Sequence, residues 1–294
     1  MPWLRLEVEA DAADEELVAV LLAEATGASG TEIVDERAAE LDASAAALPR
    51  GRVLVRAYVP HDVAQVPTLD LSELPTAVQR ETTYVSDDWQ HTWKAFFRPA
   101  RVSDRVVVRP PWEHFDDLMP GDVELIIEPG MAFGTGTHHT TKLCLRTLDA
   151  LYRESGRRGG TVLDVGCGTG ILSIAAIKLG ASQAKGLDIE EPAVRVSNEN
   201  AAVNGVAARF EVSLTPLRAV PGTFDVVIAN ILSSILVDLR APLLAHVAPG
   251  GVLLLSGILT DEVRWVAEQF RSAGAPEAVT DTDGDWASLR FDLA

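Results

Sequence analysis

The 294-residue chain carries 25 Lys and Arg against 43 Asp and Glu, a formal net charge of −18, with 47% hydrophobic and 23% charged residues. The length favours two domains, and the composition supports a packed core and excludes a disordered chain. The acidity argues against docking on DNA or RNA, where Lys and Arg neutralise phosphates, and suits a basic partner or plain solubility.

The first segment, MPWLRLEVEADAADEE, lacks the basic start and apolar core of a signal peptide. Residues 3–9 alternate, with Leu4, Leu6 and Val8 on one face, which predicts a half-buried strand. Asp11 or Asp14 caps a helix over about 14–25, with Gly27 just past its end. Residues 30–35 and 52–59 predict two more strands, and Pro67 and Pro75 leave only a short or broken helix within 61–80. Residues 81–86 predict a fourth strand. The order β-α-β-β-α-β is that of a ferredoxin-like domain. Trp89, Trp93, Phe96 and Phe97 share one face of a helix expected to pack between domains. Strand-like pieces follow at 105–109 and 123–128.

From about residue 138 strands and helices alternate. Strands are expected at 161–165, 184–188, 208–213, 224–229 and 251–256, and helices at 138–152, 170–179, 191–203, 232–246 and 260–273. Apolar strands interleaved with helices imply a mostly parallel sheet covered on both faces. Residues 276–292 are expected to add two strands, antiparallel at the edge. No run of about 18 apolar residues spans a bilayer. Cys144 and Cys167 alone do not make a disulfide framework, so a reduced, cytoplasmic compartment is expected.

The stretch Val162-Leu-Asp-Val-Gly-Cys-Gly-Thr-Gly170 follows a strand and opens a helix, placing its loop at the carboxyl edge of the sheet. Gly166, Gly168 and Gly170 permit a tight turn and close approach of a ligand to the backbone. The dinucleotide pattern fails because the third glycine falls one place early, and no Gly-Lys-Ser/Thr follows to make a Walker loop. The bland alternative is a tight βα turn with no ligand. What remains, Asp164-x-Gly-x-Gly-x-Gly with Asp188 ending the next strand, resembles motif I of class I S-adenosylmethionine-dependent methyltransferases. That resemblance implies that Asp164 helps hold the methionine ammonium and Asp188 the ribose hydroxyls. The chemistry suits them: a carboxylate accepts two hydrogen bonds from a vicinal diol, and an ammonium makes a charge-assisted contact.

Asn230 ends the fourth strand of this sheet, where the transferred methyl group leaves. It is followed by Ile-Leu-Ser rather than Pro-Pro-Tyr, which favours a flexible aliphatic amine over a flat acceptor. A third motif, Glu128–Thr141, is a Gly- and Thr-rich loop expected to close over the cofactor, with Phe133 against an apolar part of it. The neighbouring His138 and His139 have no Asp, Glu or Cys at ligand spacing, so no metal is expected.

Together with Met1-Pro-Trp, Trp93-Lys-x-x-Phe97, residues 129–138, 163–172 and 230–232, and Leu-Ser-Gly-Ile-Leu at 255–259, these motifs make the sequence similar to the PrmA family over nearly its whole length. The resemblance implies a Rossmann-like class I methyltransferase domain with a mostly parallel seven-stranded sheet, preceded by a small ferredoxin-like α+β domain. It implies an N-terminal substrate-recognition domain over 1–86, a linker helix and connecting strands over 87–130, and an S-adenosylmethionine-binding domain over 131–294. Cofactor contacts carry over to Thr141, Gly166, Asp188 and Asn230, with Gly168 in the same loop, and Asn230 is the candidate for aligning the amine. The implied partner is basic ribosomal protein L11, methylated on lysine and N-terminal amines in the cytoplasm, with neither nucleic acid nor membrane involved. The alternative is a lysine methyltransferase of the same fold with another protein substrate. Two departures stand out: His138-His139-Thr140-Thr141 replaces the family's frequent His-Pro-Thr-Thr, and no acid follows the third strand at Ser213-Leu214.

Overall fold

The computed structural model describes residues 3–26, 31–34, 48–60, 76–80, 83–85, 98–128, 138–153 and 159–294. The expected helix around Trp89–Phe97, the Ala-rich patch at 43–47 and Phe133 lie outside the described residues. The chain divides into two compact units, Met1–Phe96 and Phe97–Ala294.

The first unit is an antiparallel sheet with a helix. Strand β1 (Trp3–Asp11) pairs with β3 (Arg52–Pro60), which pairs with β2 (Thr31–Val34) on its other side. The position across β1 is shared by two short strands, β4 (Val78–Gln79) and β5 (Thr83–Val85). This strand order, with α1 (Glu15–Thr26) between β1 and β2, fits the ferredoxin-like arrangement the sequence predicts; the short helix expected within 61–80 falls outside the described residues. Alternation sorts the faces: Leu4, Leu6 and Val8 join Val53, Val55, Ala57 and α1's Val18 and Leu22 in one core. The opposite face carries charge, with Arg56 Nε donating to Glu7 (2.6 Å) and Arg52 reaching Glu9 and Asp11.

The second unit opens with a three-stranded sheet, β6 (Ala100–Arg101), β7 (Val106–Arg109) and β8 (Val123–Ile126). Sequence alone gives β7 and β8 but not the two-residue β6. Helix α2 (His139–Arg153) follows, then β9 (Thr161–Val165), α3 (Ile171–Leu179), β10 (Gln183–Leu187) and α4 (Glu191–Val203). Then come β11 (Phe210–Ser213), β12 (Phe224–Asn230), α5 (Ser233–Asp238), α6 (Arg240–Ala245), β13 (Val247–Leu259), α7 (Val263–Ser272), β14 (Val279–Asp283) and β15 (Trp286–Asp292).

The large sheet has the order β11-β10-β9-β12-β13-β15-β14, parallel from β11 to β13 and antiparallel thereafter. Successive residues feed opposite cores: Val162, Val226, Ile228 and Leu254 face one, and Leu163, Val227, Ala229 and Leu255 the other. Both faces are thus apolar, as a parallel sheet with helices on each side requires. The strand order reverses between β9 and β12, and a ligand crevice is expected at that switch point.

One expectation shifts. The single helix predicted at 232–246 is two, broken at Leu239, because Pro242 lacks an N–H and its ring crowds the carbonyl four residues back. Residues 276–292 add the two expected antiparallel strands at the sheet's edge, with β15 inserted between β13 and β14. Burial decides this, since Ala287, Leu289 and Phe291 are fully buried whereas Val279 to Thr282 are exposed. The apolar strand takes the interior and the polar one the rim.

Candidate active site

A cavity of about 640 Å³ lies along the carboxyl edge of the large sheet. It is bounded by the loops after β9, β10, β11 and β12, by Gly257 within β13, by the start of α2, and by Trp286 at the head of β15. The glycine-rich loop forms one wall. Gly166, Gly168 and Gly170 all have positive φ (74°, 54° and 77°), a conformation that penalises any side chain with a Cβ. At Gly170 a Cβ would also stand 2.8 Å from the Phe210 ring and 3.0 Å from Ser197 Oγ. Ser197 Oγ donates to Gly168 O (2.8 Å), and Asn200 Nδ2 to Thr169 O (2.9 Å), so α4 holds the loop from behind. Asn200 Oδ1 and Asn204 Oδ1 accept from Glu128 N and Ile126 N, which ties β8 to the same helix.

Asp188 ends β10 inside the cavity and is held by three backbone donors. Gly168 N–H donates to its Oδ2 (2.9 Å), and Ile189 N–H and Glu190 N–H donate to its Oδ1 (2.8 and 3.1 Å). The carboxylate is fixed in direction and keeps acceptor capacity on both oxygens. Beside it Ile189 is 95% exposed and Leu214 44% exposed, an apolar rim with no covering group among the described residues.

Asp164 lies beneath the loop and is not among the cavity-lining residues. Its Oδ2 accepts from Ser173 N–H (3.2 Å) and Ser173 Oγ (2.8 Å) in the first turn of α3. Its Oδ1 is buried with no partner among the described residues. Burial raises its pKa to about 6, against the lowering by Ser173, and the Asp188 charge adds to the rise. Thr141 Oγ1, in the first turn of α2 and lining the cavity, is likewise buried and without a partner among the described residues. These two orphaned acceptors in one region fit a ligand that brings its own donors. Cys167, between the glycines, is a buried thiol whose pKa burial pushes well up, so it is no nucleophile.

Asn230 ends β12 at the cavity, and its amide makes no side-chain hydrogen bond among the described residues. The turn beyond it is set by Gly257, which sits in a bulge where β13 shifts register against β15. Gly257 has φ 81°, and a Cβ there would lie 2.4 Å from Ile231 O. Ser233 Oγ donates to Glu262 Oε2 (2.6 Å), closing the same turn from the other side.

At the start of α2, His138 Nδ1 lies 2.8 Å from Thr140 Oγ1 and accepts from Thr140 N–H (3.3 Å). A backbone N–H can only donate, so Nδ1 carries no proton and the neutral ring holds it on Nε2. The imidazole thus caps the first turn of the helix. Burial, and then the charges of His139 and Lys142, hold its pKa below the usual value. Its ring meets Trp286 edge-on, with centroids 5.2 Å apart.

The structure thus brings Thr141, Gly166, Gly168, Asp188 and Asn230 to one cavity and sets Asp164 behind it; Phe133 lies outside the described residues. Sequence reasoning missed Ile189, Leu214, Gly257 and Trp286. Gly257 left a signal, a lone glycine interrupting the apolar run of a strand, which marks a bulge. Trp286 left none, because its place depends on β15 inserting next to β13.

A family model described as "Ribosomal protein L11 methyltransferase (PrmA)" matches residues 2–293. The protein named "Ribosomal protein L11 methyltransferase" from Geobacter metallireducens is 48% identical, covering 71% of this chain and 68% of its own. The one from Pelotomaculum thermopropionicum is 36% identical across 98% of both chains. Among solved structures, a ribosomal protein L11 methylase from Lactobacillus delbrueckii subsp. bulgaricus is 31% identical, with a TM-score of 0.61 over 67% of this chain and 99% of that one.

Proposed function

This chain belongs to the ribosomal protein L11 methyltransferase (PrmA) family, and on that footing we propose that it transfers methyl groups from S-adenosylmethionine to lysine and N-terminal amines of ribosomal protein L11. The observation that carries this reading is the match over residues 2–293, because the glycine loop alone names only the wider superfamily. The cavity fits such a cofactor. The fixed Asp188 carboxylate suits a ribose diol, the exposed Ile189 and Leu214 a flat apolar base, and the unpartnered Thr141 Oγ1 and Asp164 Oδ1 an ammonium. Gly166 and Gly168 would bring backbone against it, and Phe133 is the residue we assign to covering it. The first unit is assigned to protein recognition and the second to transfer, in the cytoplasm. A net charge of −18 favours encounter with a basic protein.

When bound, the cofactor supplies a methyl group on a sulfonium whose departure leaves a neutral thioether. The chain therefore needs no acid for the leaving group. Its tasks are to receive the amine as a free base and to align it. A lysine amine has an ordinary pKa of about 10.4. Desolvation in the cavity lowers that, and among the described residues no carboxylate lines the Asn230 side to hold the proton on. The Asn230 side-chain carbonyl accepts one amine N–H and so turns the lone pair, and alignment rather than a strong base carries the rate.

The test is incubation with labelled S-adenosylmethionine and bacterial ribosomal proteins, followed by mass spectrometry of the labelled band. Label on L11 amines is expected. Label on another protein would favour a different lysine methyltransferase, and no transfer at all would leave a protein that only senses the cofactor.

A further inference from the structure

The two ends of the cavity differ in charge. Its lining carboxylates, Asp188 and Glu190, both follow β10. The other end, beyond Asn230, has backbone at Gly257, then Trp286 and His138, and no acidic side chain among the described residues. Among the described residues, Trp286 is the one indole lining the cavity, and His138 the other aromatic ring.

We propose that Trp286 is the group that receives the cationic end of the acceptor, an alkylammonium passing over the backbone floor of Gly257 and resting on the indole between Asn230 and His138. This rests on the amine-transfer reading and adds the residue that selects the acceptor.

Three features build the site. First, Trp286 is held from several sides. It opens β15 opposite Leu259, and the hairpin before it is fastened to α2, with Asp283 2.9 Å from His139 Nδ1 and 3.1 Å from Arg146. His138 meets the indole edge-on at 5.2 Å and is itself fixed through Nδ1. Second, the floor between Asn230 and Trp286 stays bare, because a Cβ at Gly257 would lie 2.4 Å from Ile231 O. Third, the chemistry needs attraction without a formal negative charge. A carboxylate would draw an ammonium in but favour its charged form and remove the nucleophile. An indole face attracts the cation through its quadrupole more weakly than a carboxylate would, and so holds the amine proton on less. That attraction suits methylated amines best, since aromatic faces bind quaternary ammonium groups well.

The experiment uses the full-length protein labelled with 15N and saturated with S-adenosylhomocysteine. It is titrated with the methyl amide of acetylated trimethyllysine and, separately, with the neutral isostere that has carbon in place of the charged nitrogen. The Trp286 indole N–H signal is identified by its loss in Trp286→Phe. Expected is a shift of that signal at about tenfold lower concentration of the cation than of the isostere; the same preference, read by calorimetry of the two probes, is lost in Trp286→Leu and partly kept in Trp286→Phe. Affinity for S-adenosylmethionine by calorimetry should stay within about twofold in both variants. Equal response to the two probes, no response at Trp286, a preference that survives Trp286→Leu, or a parallel loss of cofactor affinity would each overturn the assignment. Because the probes are small amines, a failure to methylate L11 leaves this readout intact and is told apart from it.

Discussion

The carboxylate after β10, Asp188, is already held by backbone, and the amide at the end of β12, Asn230, is not. Asp188 accepts three backbone N–H bonds, and the glycine loop is braced by Ser197 and Asn200 from α4. Asn230 makes no side-chain hydrogen bond among the described residues, and its neighbour Gly257 contributes only backbone. The difference follows from what each side must hold. A small cofactor of fixed shape is met by groups set in advance, which spares ordering cost on binding. A flexible amine needs a side chain still free to bond it and space through which to enter.

If that contrast holds, substitutions on the two sides break different things. The largest effect is expected from Gly170→Ala. The backbone there costs about 1–2 kcal/mol for a residue with a Cβ, and crowding against Phe210 about 1–3 kcal/mol more. A melting temperature lower by roughly 5–15 °C should follow, together with weaker cofactor binding. Next is Asn230→Ala. Loss of one aligned transition-state hydrogen bond should reduce kcat by about 100-fold or more while cofactor affinity changes little, read by single-turnover kinetics and calorimetry. Unchanged turnover would end the aligning role. Asp188→Ala should do the reverse, weakening cofactor affinity by roughly 10–100-fold through the lost charged hydrogen bonds. Equal damage to both constants in both variants would erase the distinction between the two halves.

The sequence showed the cofactor side far better than the acceptor side, for a physical reason. Gly166, Gly168, Asp164 and Asp188 belong to one βαβ unit, so their geometry is set within 25 residues and their spacing alone carries it. Trp286 comes to the same cavity as Asn230 only through β13 and a reversed β15, and nothing local to residues 276–292 says which of their two strands lies inside. The same limit explains the helix expected at 232–246. Its apolar spacing was sound, yet the break at Leu239 depends on the ring of Pro242 three residues on. In the first unit, alternation in β1 and β3 gave strands and faces, but the split of the last position into β4 and β5 was not visible in so few residues.

Asp164 offers the finest probe of the cofactor side, because it stands behind the loop rather than in it. Folding raises its pKa from an ordinary 3.8 to about 6 through burial, so between those values the folded state binds more protons than the unfolded state. Its contribution to stability therefore falls as pH rises from about 4 to about 6 and is level above, the opposite of the usual paired carboxylate. Asp164→Asn should flatten that part of the pH profile, measured by denaturant unfolding at a series of pH values. A bound ammonium favours the ionised carboxylate, so cofactor affinity in the wild type should drop by up to about tenfold per pH unit below about 6. In Asp164→Asn that slope should disappear. If the stability slope flattens but the affinity slope remains, Asp164 serves only to hold Ser173 and the first turn of α3, and the ammonium must find Thr141 alone.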